Sequence, residues 1–199
     1  MIAILTGDII NSQAVDSKIW LTKLKKILNM YGKTPKTWEI YRGDSFQLEV
    51  DIHDALKIAI HIKAGMKSIA NINVRIAIGL GDKSYNSSRI SESNGSAFVN
   101  SGQCFDALKK NTLAIRSPWK GFDEEFNLYV RLLLLTIDSW SVVTAQTVFA
   151  ILEHPSLNQN ELGQLLNRTQ STISETLRRA GYEEIDRLIN RYQTKISEL

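Results

Sequence analysis

The chain has 199 residues, 43% hydrophobic and 23% charged, with a formal net charge of +3. That is ordinary globular composition, enough for one large domain or a medium and a small one, and it excludes a low-hydrophobicity disordered chain. The lone Cys104 excludes an internal disulfide and a cysteine metal site, and points to a reducing compartment and a buried, packed thiol.

Asp8 interrupts the opening apolar run, so no secretory leader is expected. The most apolar stretch, Val130 to Ile137, carries Arg131 and falls far short of the roughly 20 residues of a membrane span. It is expected in the protein core, and the chain in the cytosol without a membrane partner. Residues 1–117 hold 16 Lys and Arg against 10 Asp and Glu, a modest surplus that suits nucleotides or nucleic acid and equally an ordinary solvated surface.

In chain order, Ile2 to Leu5 predicts a buried strand leading to a loop at Thr6, Gly7 and Asp8. Asp16 or Ser17 caps a helix whose stripe Trp20, Leu24, Ile27, Leu28 and Tyr31 recurs at three- and four-residue steps. Thr37 to Arg42 and Ser45 to Val50 form a hairpin with Asp44 at its tip. A helix from Ile52 follows, then a strand over Asn73 to Leu80. The polar run Gly81 to Ser93 is expected as a mobile surface loop, Gly95 to Lys110 as a helix and Thr112 to Arg116 as a further strand.

The order strand, helix, two strands, helix, strand is the split βαβ pattern of a ferredoxin-like α/β (α+β) sheet, which brings Asp8 near Asp44. Pro118 and Gly121 then break the chain before a connecting helix, Phe122 to Ile137. The expected division is an α/β domain over 1–120, a connector over 121–139 and a helical module over 140–199.

Four short helices are expected in that module, at 141–153, 159–166, 170–180 and 182–197. In the middle pair Leu162, Leu165 and Leu166 face Ile173 and Leu177 across an Asn-Arg-Thr turn, at helix-turn-helix spacing. The segment Asn160 to Leu166 followed by Thr169 to Leu177 resembles the helix-turn-helix core of bacterial transcription regulators. The resemblance implies Gln170, Ser171, Thr172 and Glu175 as base readers, and Arg168, Arg178 and Arg179 as phosphate contacts. Residues 155–199 carry 6 basic and 6 acidic side chains, so DNA binding requires dimerisation or help from the basic half.

In the first half, Asp8 at a strand end and Asp44 at a hairpin tip are hard oxygen ligands of the kind that suits Mg²⁺ or Mn²⁺. Turn chemistry also attracts Asp to both places. The words Asp8-Ile9-Ile10-Asn11-Ser12, Arg42-Gly43-Asp44-Ser45, Arg75-Ile76-Ala77-Ile78-Gly79 and Gly95 to Asn100 resemble, in order and spacing, the landmarks of class III nucleotidyl cyclases. That likeness implies metal at Asp8, the Ile9 carbonyl and Asp44, and a nucleotide beside Asn11, Ser12, Arg42, Gly43 and Asn100. It departs where those cyclases want an Arg four residues after the Asn, since this chain has Cys104, which cannot supply a fixed cation.

The whole arrangement is similar to the SatD family of small bacterial proteins. The expectation is a homodimeric DNA-binding regulator whose degenerate cyclase-like half senses a nucleotide or another phosphorylated small molecule. The alternatives are an active nucleotidyl cyclase or related Mg²⁺- or Mn²⁺-dependent phosphoryl-transfer enzyme, in which another basic residue such as Arg89 replaces the missing cation, and a pair of binding modules without DNA.

Overall fold

Strand β1 (Ile2–Ile10) forms the middle of a sheet because it alternates two useful faces. In the computed structural model, which describes residues 1–199, Ala3, Leu5 and Ile9 point into the main core, while Ile4 packs into a small cluster on the opposite face. Hairpin strands β2 (Trp38–Tyr41) and β3 (Ser45–Val50) pair antiparallel, and β3 lies antiparallel to β1. On the other side of β1 comes β4 (Asn73–Gly81), antiparallel, and then β5 (Leu113–Arg116), parallel to β4. The result is a five-stranded mixed sheet in the order β2-β3-β1-β4-β5, combined with eight α-helices in an α/β chain.

Helices α1 (Ser17–Tyr31) and α2 (Ala55–Lys67) cover one face. The Asp16 carboxylate caps α1 by accepting from the Lys18 amide at 2.9 Å. Helix α3 (Ser96–Ala107) covers part of the other face, lying close to β4 because a Cβ on Gly79 would come within 2.3 Å of the Ala97 carbonyl. The segment around Ile90 covers another part, over Ile4 and Glu39, and the polar surface left open lies beside Tyr41, Arg42 and Gln47.

The remaining helices are α4 (Lys120–Ile137), α5 (Val142–Glu153), α6 (Gln159–Leu165), α7 (Gln170–Arg179) and α8 (Tyr182–Ser197). They close over the back of α2, in which 11 of 13 residues are buried, far more than the one stripe of a surface helix. One core of 47 buried residues runs from Ala3 to Ile196, so the sheet and the last helices share an interior. Phe122 and Phe126 of α4 stack at 4.5 Å between ring centroids and meet the Tyr192 ring of α8, whose hydroxyl donates to the Ile52 carbonyl at 2.9 Å.

Lys63 is wholly buried on α2. Its ammonium donates to Thr112 Oγ1 at 2.8 Å and sits 3.3 Å from Asp138, just beyond α4. Burial pulls its pKa down to about 8 against the opposing pull of Asp138. The pair ties α2 to β5 and to the end of α4.

Several sequence expectations are corrected. Arg42 leaves the strand for a three-residue turn, with φ of 52°, because the hairpin closes at the Tyr41–Ser45 pair. The polar run after β4 is not a free loop. Ile90 is fully buried, a bridge joins Tyr85 to Asn94, and Glu39 of β2 accepts from the Ser91 hydroxyl at 2.6 Å and from Arg89. One apolar side chain and one carboxylate suffice to pin it. Leu165 does not face Ile173 but is exposed, since α6 has only two turns and buries Leu162 instead. The stretch Val130 to Ile137 is only half core: Val130, Leu133, Leu134 and Ile137 are buried, while Leu132 and Leu135 face outward. An apolar run longer than one helical turn cannot point all its side chains to one side.

Candidate functional site

The open part of this sheet face carries polar residues at alternate strand positions. Asp8 lies opposite Ser45 on β3 and opposite Arg75 on β4, and the Ile9 amide donates to the Asp44 carbonyl at 3.1 Å. The expected proximity of Asp8 and Asp44 therefore holds at the level of the backbone. The side chains are engaged differently from expectation. Arg75 donates through Nε to Asp8 Oδ1 at 2.9 Å and through Nη2 to Oδ2, a bidentate pair. This hydrogen bonding, with the charges of Asp8 and Asp44, pushes the Arg75 pKa further up. Asp44 accepts from the Ser12 hydroxyl at 2.7 Å.

In this pairing Asp8 has no oxygen free for a divalent cation. Both Asp8 oxygens face a guanidinium, and no group of three or more His, Cys, Asp or Glu side chains assembles in the chain. Two carboxylates suffice for Mg²⁺ when waters or a ligand's phosphates complete its six oxygens, so a cation at Asp8 and Asp44 requires Arg75 to release Asp8.

Beside Asp8 lies a cleft of about 260 Å³ lined by Thr6, Gly7, Tyr41, Arg42, Gln47 and Phe105, among others. Phe105 of α3 carries the Arg75 guanidinium 5.5 Å from its ring centroid. On the cleft's floor the hydroxyls of Thr6 and Ser101 bond to each other. Burial pushes the Tyr41 hydroxyl up, so it stays a neutral donor.

Of the expected nucleotide residues, Arg42 lines this cleft and Gly43 shares its turn, with φ of 90°. Ser12 reaches Asp44. Asn11 instead takes φ of 60° and donates to the Asn71 carbonyl at 3.2 Å, and Asn100 donates to the Leu80 carbonyl at 2.8 Å. Helix α3 presents Gly102, Phe105 and Asp106 to the cleft in their place. Cys104 is buried against Ala77 and Leu108, and burial with the nearby Asp123 pushes its thiol up to about 12, so it is neutral and inert. Arg89 is held by Glu39.

Sequence reading missed Arg75 and Phe105 as site residues. Arg75 had a signal: a cation at an alternate position of an otherwise apolar strand needs a partner across the sheet. Phe105 had none, since its direction depends on where α3 docks.

The second candidate lies at α6 and α7. Asn158 and Glu161 form a capping box at the start of α6, and Thr169 caps α7 by accepting from the Thr172 amide at 3.2 Å. The chain turns back sharply between them. Asn167 has φ of 52°, and a Cβ on Gly163 would come within 2.6 Å of the Arg168 carbonyl, so only glycine lets the turn close. Ile173 and Leu177 anchor α7 in the core, leaving Gln170, Ser171, Thr172, Glu175, Arg178 and Arg179 towards solvent.

Arg168 is corrected from its expected phosphate role. Its guanidinium donates to Thr147 Oγ1 at 2.8 Å and to Gln146 Oε1 at 3.0 Å, clamping α7's approach to α5. Gln170 donates to Gln159 Oε1 at 2.8 Å, and Glu175 lies 3.6 Å from Arg178 and 3.8 Å from Arg179. These surface pairs are weak and readily exchanged for other partners. No helix is long and apolar enough to cross a membrane. Comparison of the chain with protein-family models, with curated proteins and with solved structures gives no match.

Proposed function

We propose that the chain is a DNA-binding transcriptional regulator in which α6 and α7 form a helix-turn-helix, and that its sheet cleft senses a small phosphorylated ligand. The observation that carries this reading is the face of α7. A helix anchored by Ile173 and Leu177 exposes short uncharged polar groups on its first turn and two arginines on its last. Short polar groups at a helix start suit base edges in a major groove, and flanking arginines suit phosphates. Likeness to bacterial regulators over the α6–α7 segment points the same way.

In the sheet half, Arg42, Phe105 and the Thr6, Tyr41 and Gln47 polar groups are the complement of a phosphorylated ligand with a flat ring, such as a nucleotide. The reading routes nothing through a metal ion. A cyclase reading would need a fixed cation aimed at developing charge, and neither the buried Cys104 nor the engaged Arg89 supports it.

The test is fluorescence anisotropy against a library of genomic fragments at about 50 mM salt, where phosphate contacts are strongest. Sequence-selective binding is expected. Arg178→Ala and Arg179→Ala should each weaken it for all sequences and lower the salt slope by about 1, while Gln170→Ala should relax the preference at one base position, by about 1–3 kcal/mol. No binding to any fragment would end the DNA reading.

The ligand half is tested by thermal shift with nucleoside mono-, di- and triphosphates, with and without Mg²⁺. Stabilisation that Arg42→Ala removes is expected. A ligand at roughly 100 times its Kd stabilises by about 2.7 kcal/mol, well within reach of a melt.

A further inference from the structure

Along α4 the buried side is complete: Phe122, Phe126, Val130, Leu133, Leu134 and Ile137 enter the core. The outer side nevertheless carries Leu128, Leu132 and Leu135, exposed at 49%, 57% and 75%. Their spacing of four and then three residues is that of a seam packing against another helix. Single exposed leucines are ordinary, but three in line over two turns form a contiguous apolar ridge, which marks a contact surface. The ridge continues towards Leu188 of α8, which with Leu132, Leu133 and Ile185 lines a shallow apolar groove.

The charges beside the ridge say what covers it. Glu124 and Arg131 lie seven residues apart on α4, hence on the same side of the helix, with Leu128 between them. Arg131 has no carboxylate partner within its own chain, and Glu124 has only Lys120, 3.8 Å away on the surface. A second α4 laid antiparallel, with a two-fold axis passing close to Leu128, brings each Arg131 to the other chain's Glu124. The same register sets Leu128 against Leu128 and Leu135 against Gly121, which has open space where a side chain would be. An acidic start and a basic middle on one face are self-complementary only in this antiparallel sense. A parallel pair sets like charges side by side.

We infer that α4 is the dimerisation helix of this protein, its outer face packing antiparallel on the same face of a second copy, with Leu128 against Leu128 on the two-fold axis and Leu135 seated over Gly121 of the second copy. The interface is isologous, as expected for a two-fold dimer. It does not depend on the DNA reading, but it adds to it: two α7 helices per particle supply the phosphate contacts that one charge-neutral set of C-terminal helices lacks.

The experiment is light scattering of the full chain without nucleic acid, so a failure of DNA binding leaves the result intact. At tens of micromolar the particle should have twice the 22.5 kDa chain mass. Leu135→Glu, at the most exposed position, should give a folded monomer with an unchanged circular dichroism spectrum. Arg131→Glu should weaken the dimer at least tenfold, and adding Glu124→Arg to it should restore the dimer by reversing both partners. A monomeric wild type at about 100 µM, a Leu135→Glu variant that remains dimeric, or a double charge swap that restores nothing would overturn the assignment.

Discussion

Cutting the chain after Ser139 is expected to leave residues 1–139 without a cooperative fold, rather than to release a stable sheet domain. Helix α2 is buried on both sides, by the sheet and by the later helices, and Gly65 has no side chain because Ile27 and Phe149 press against it. Removing residues 140–199 strips the Tyr192 ring from Phe122 and Phe126 and the Phe149 ring from His61. Each large apolar side chain returned to water costs about 1.5–3 kcal/mol, so a few of them match the roughly 5–15 kcal/mol by which a domain is stable. Urea unfolding of the two lengths checks this. The full chain should show one transition, and the shorter piece dye-binding apolar surface with no sharp transition. A cooperative transition in residues 1–139 would mean that the two halves fold separately after all.

Acidification between pH 6.5 and 4 should destabilise the protein through His61, by about 3 kcal/mol. The imidazole is buried on α2, with the Tyr31 hydroxyl at Nδ1, no partner at Nε2, and the Phe149 ring stacked 4.7 Å away. Burial lowers its pKa from 6.5 to about 4; Glu153 pulls it upward, and Lys57, Lys23 and Lys26 push it further down. In that window the unfolded chain holds the proton and the folded chain does not, so stability falls as pH falls. The contribution is fully present above pH 6.5. A shift from 6.5 to about 4 corresponds to about 3 kcal/mol at roughly 1.4 kcal/mol per pKa unit. Urea midpoints at about pH 7 and pH 4.5 measure it, with His61→Leu combined with Tyr31→Phe as the comparison. The variant should lose much less than the wild type over this range. Parallel losses would assign the acid sensitivity to carboxylates elsewhere. Because His61 lies where α1, α2 and α5 meet, its protonation loosens the contact between the sheet half and the helices that carry α7.

Much of this chain is legible in local sequence pattern alone. The stripe Trp20, Leu24, Ile27 and Leu28 marks α1, and all four side chains are buried. The Leu162, Ile173 and Leu177 spacing marks α6 and α7, and the alternation in β4 marks a strand with two faces. Such features follow from helical and strand periods, which operate within ten or so residues. The proximity of Asp8 and Asp44 is also legible, because strand order follows from the sequence of elements.

What only the tertiary structure decided were pairings between distant segments. By sequence Asp8 reads as a metal ligand, but β4 brings Arg75 onto both its oxygens; Arg168 reads as a phosphate contact, but α5 supplies Thr147 and Gln146. Asn100 has the right place in a sequence word, yet the close seat of α3 on Gly79 turns its amide to a backbone carbonyl. The Val130 to Ile137 run reads as core throughout, and only docking α4 by Phe122, Phe126 and Val130 leaves Leu132 and Leu135 outside. Composition and period determine which side chains are able to be buried or charged. Which partner each one meets depends on how helices dock on a sheet, and that is settled by packing over the whole core.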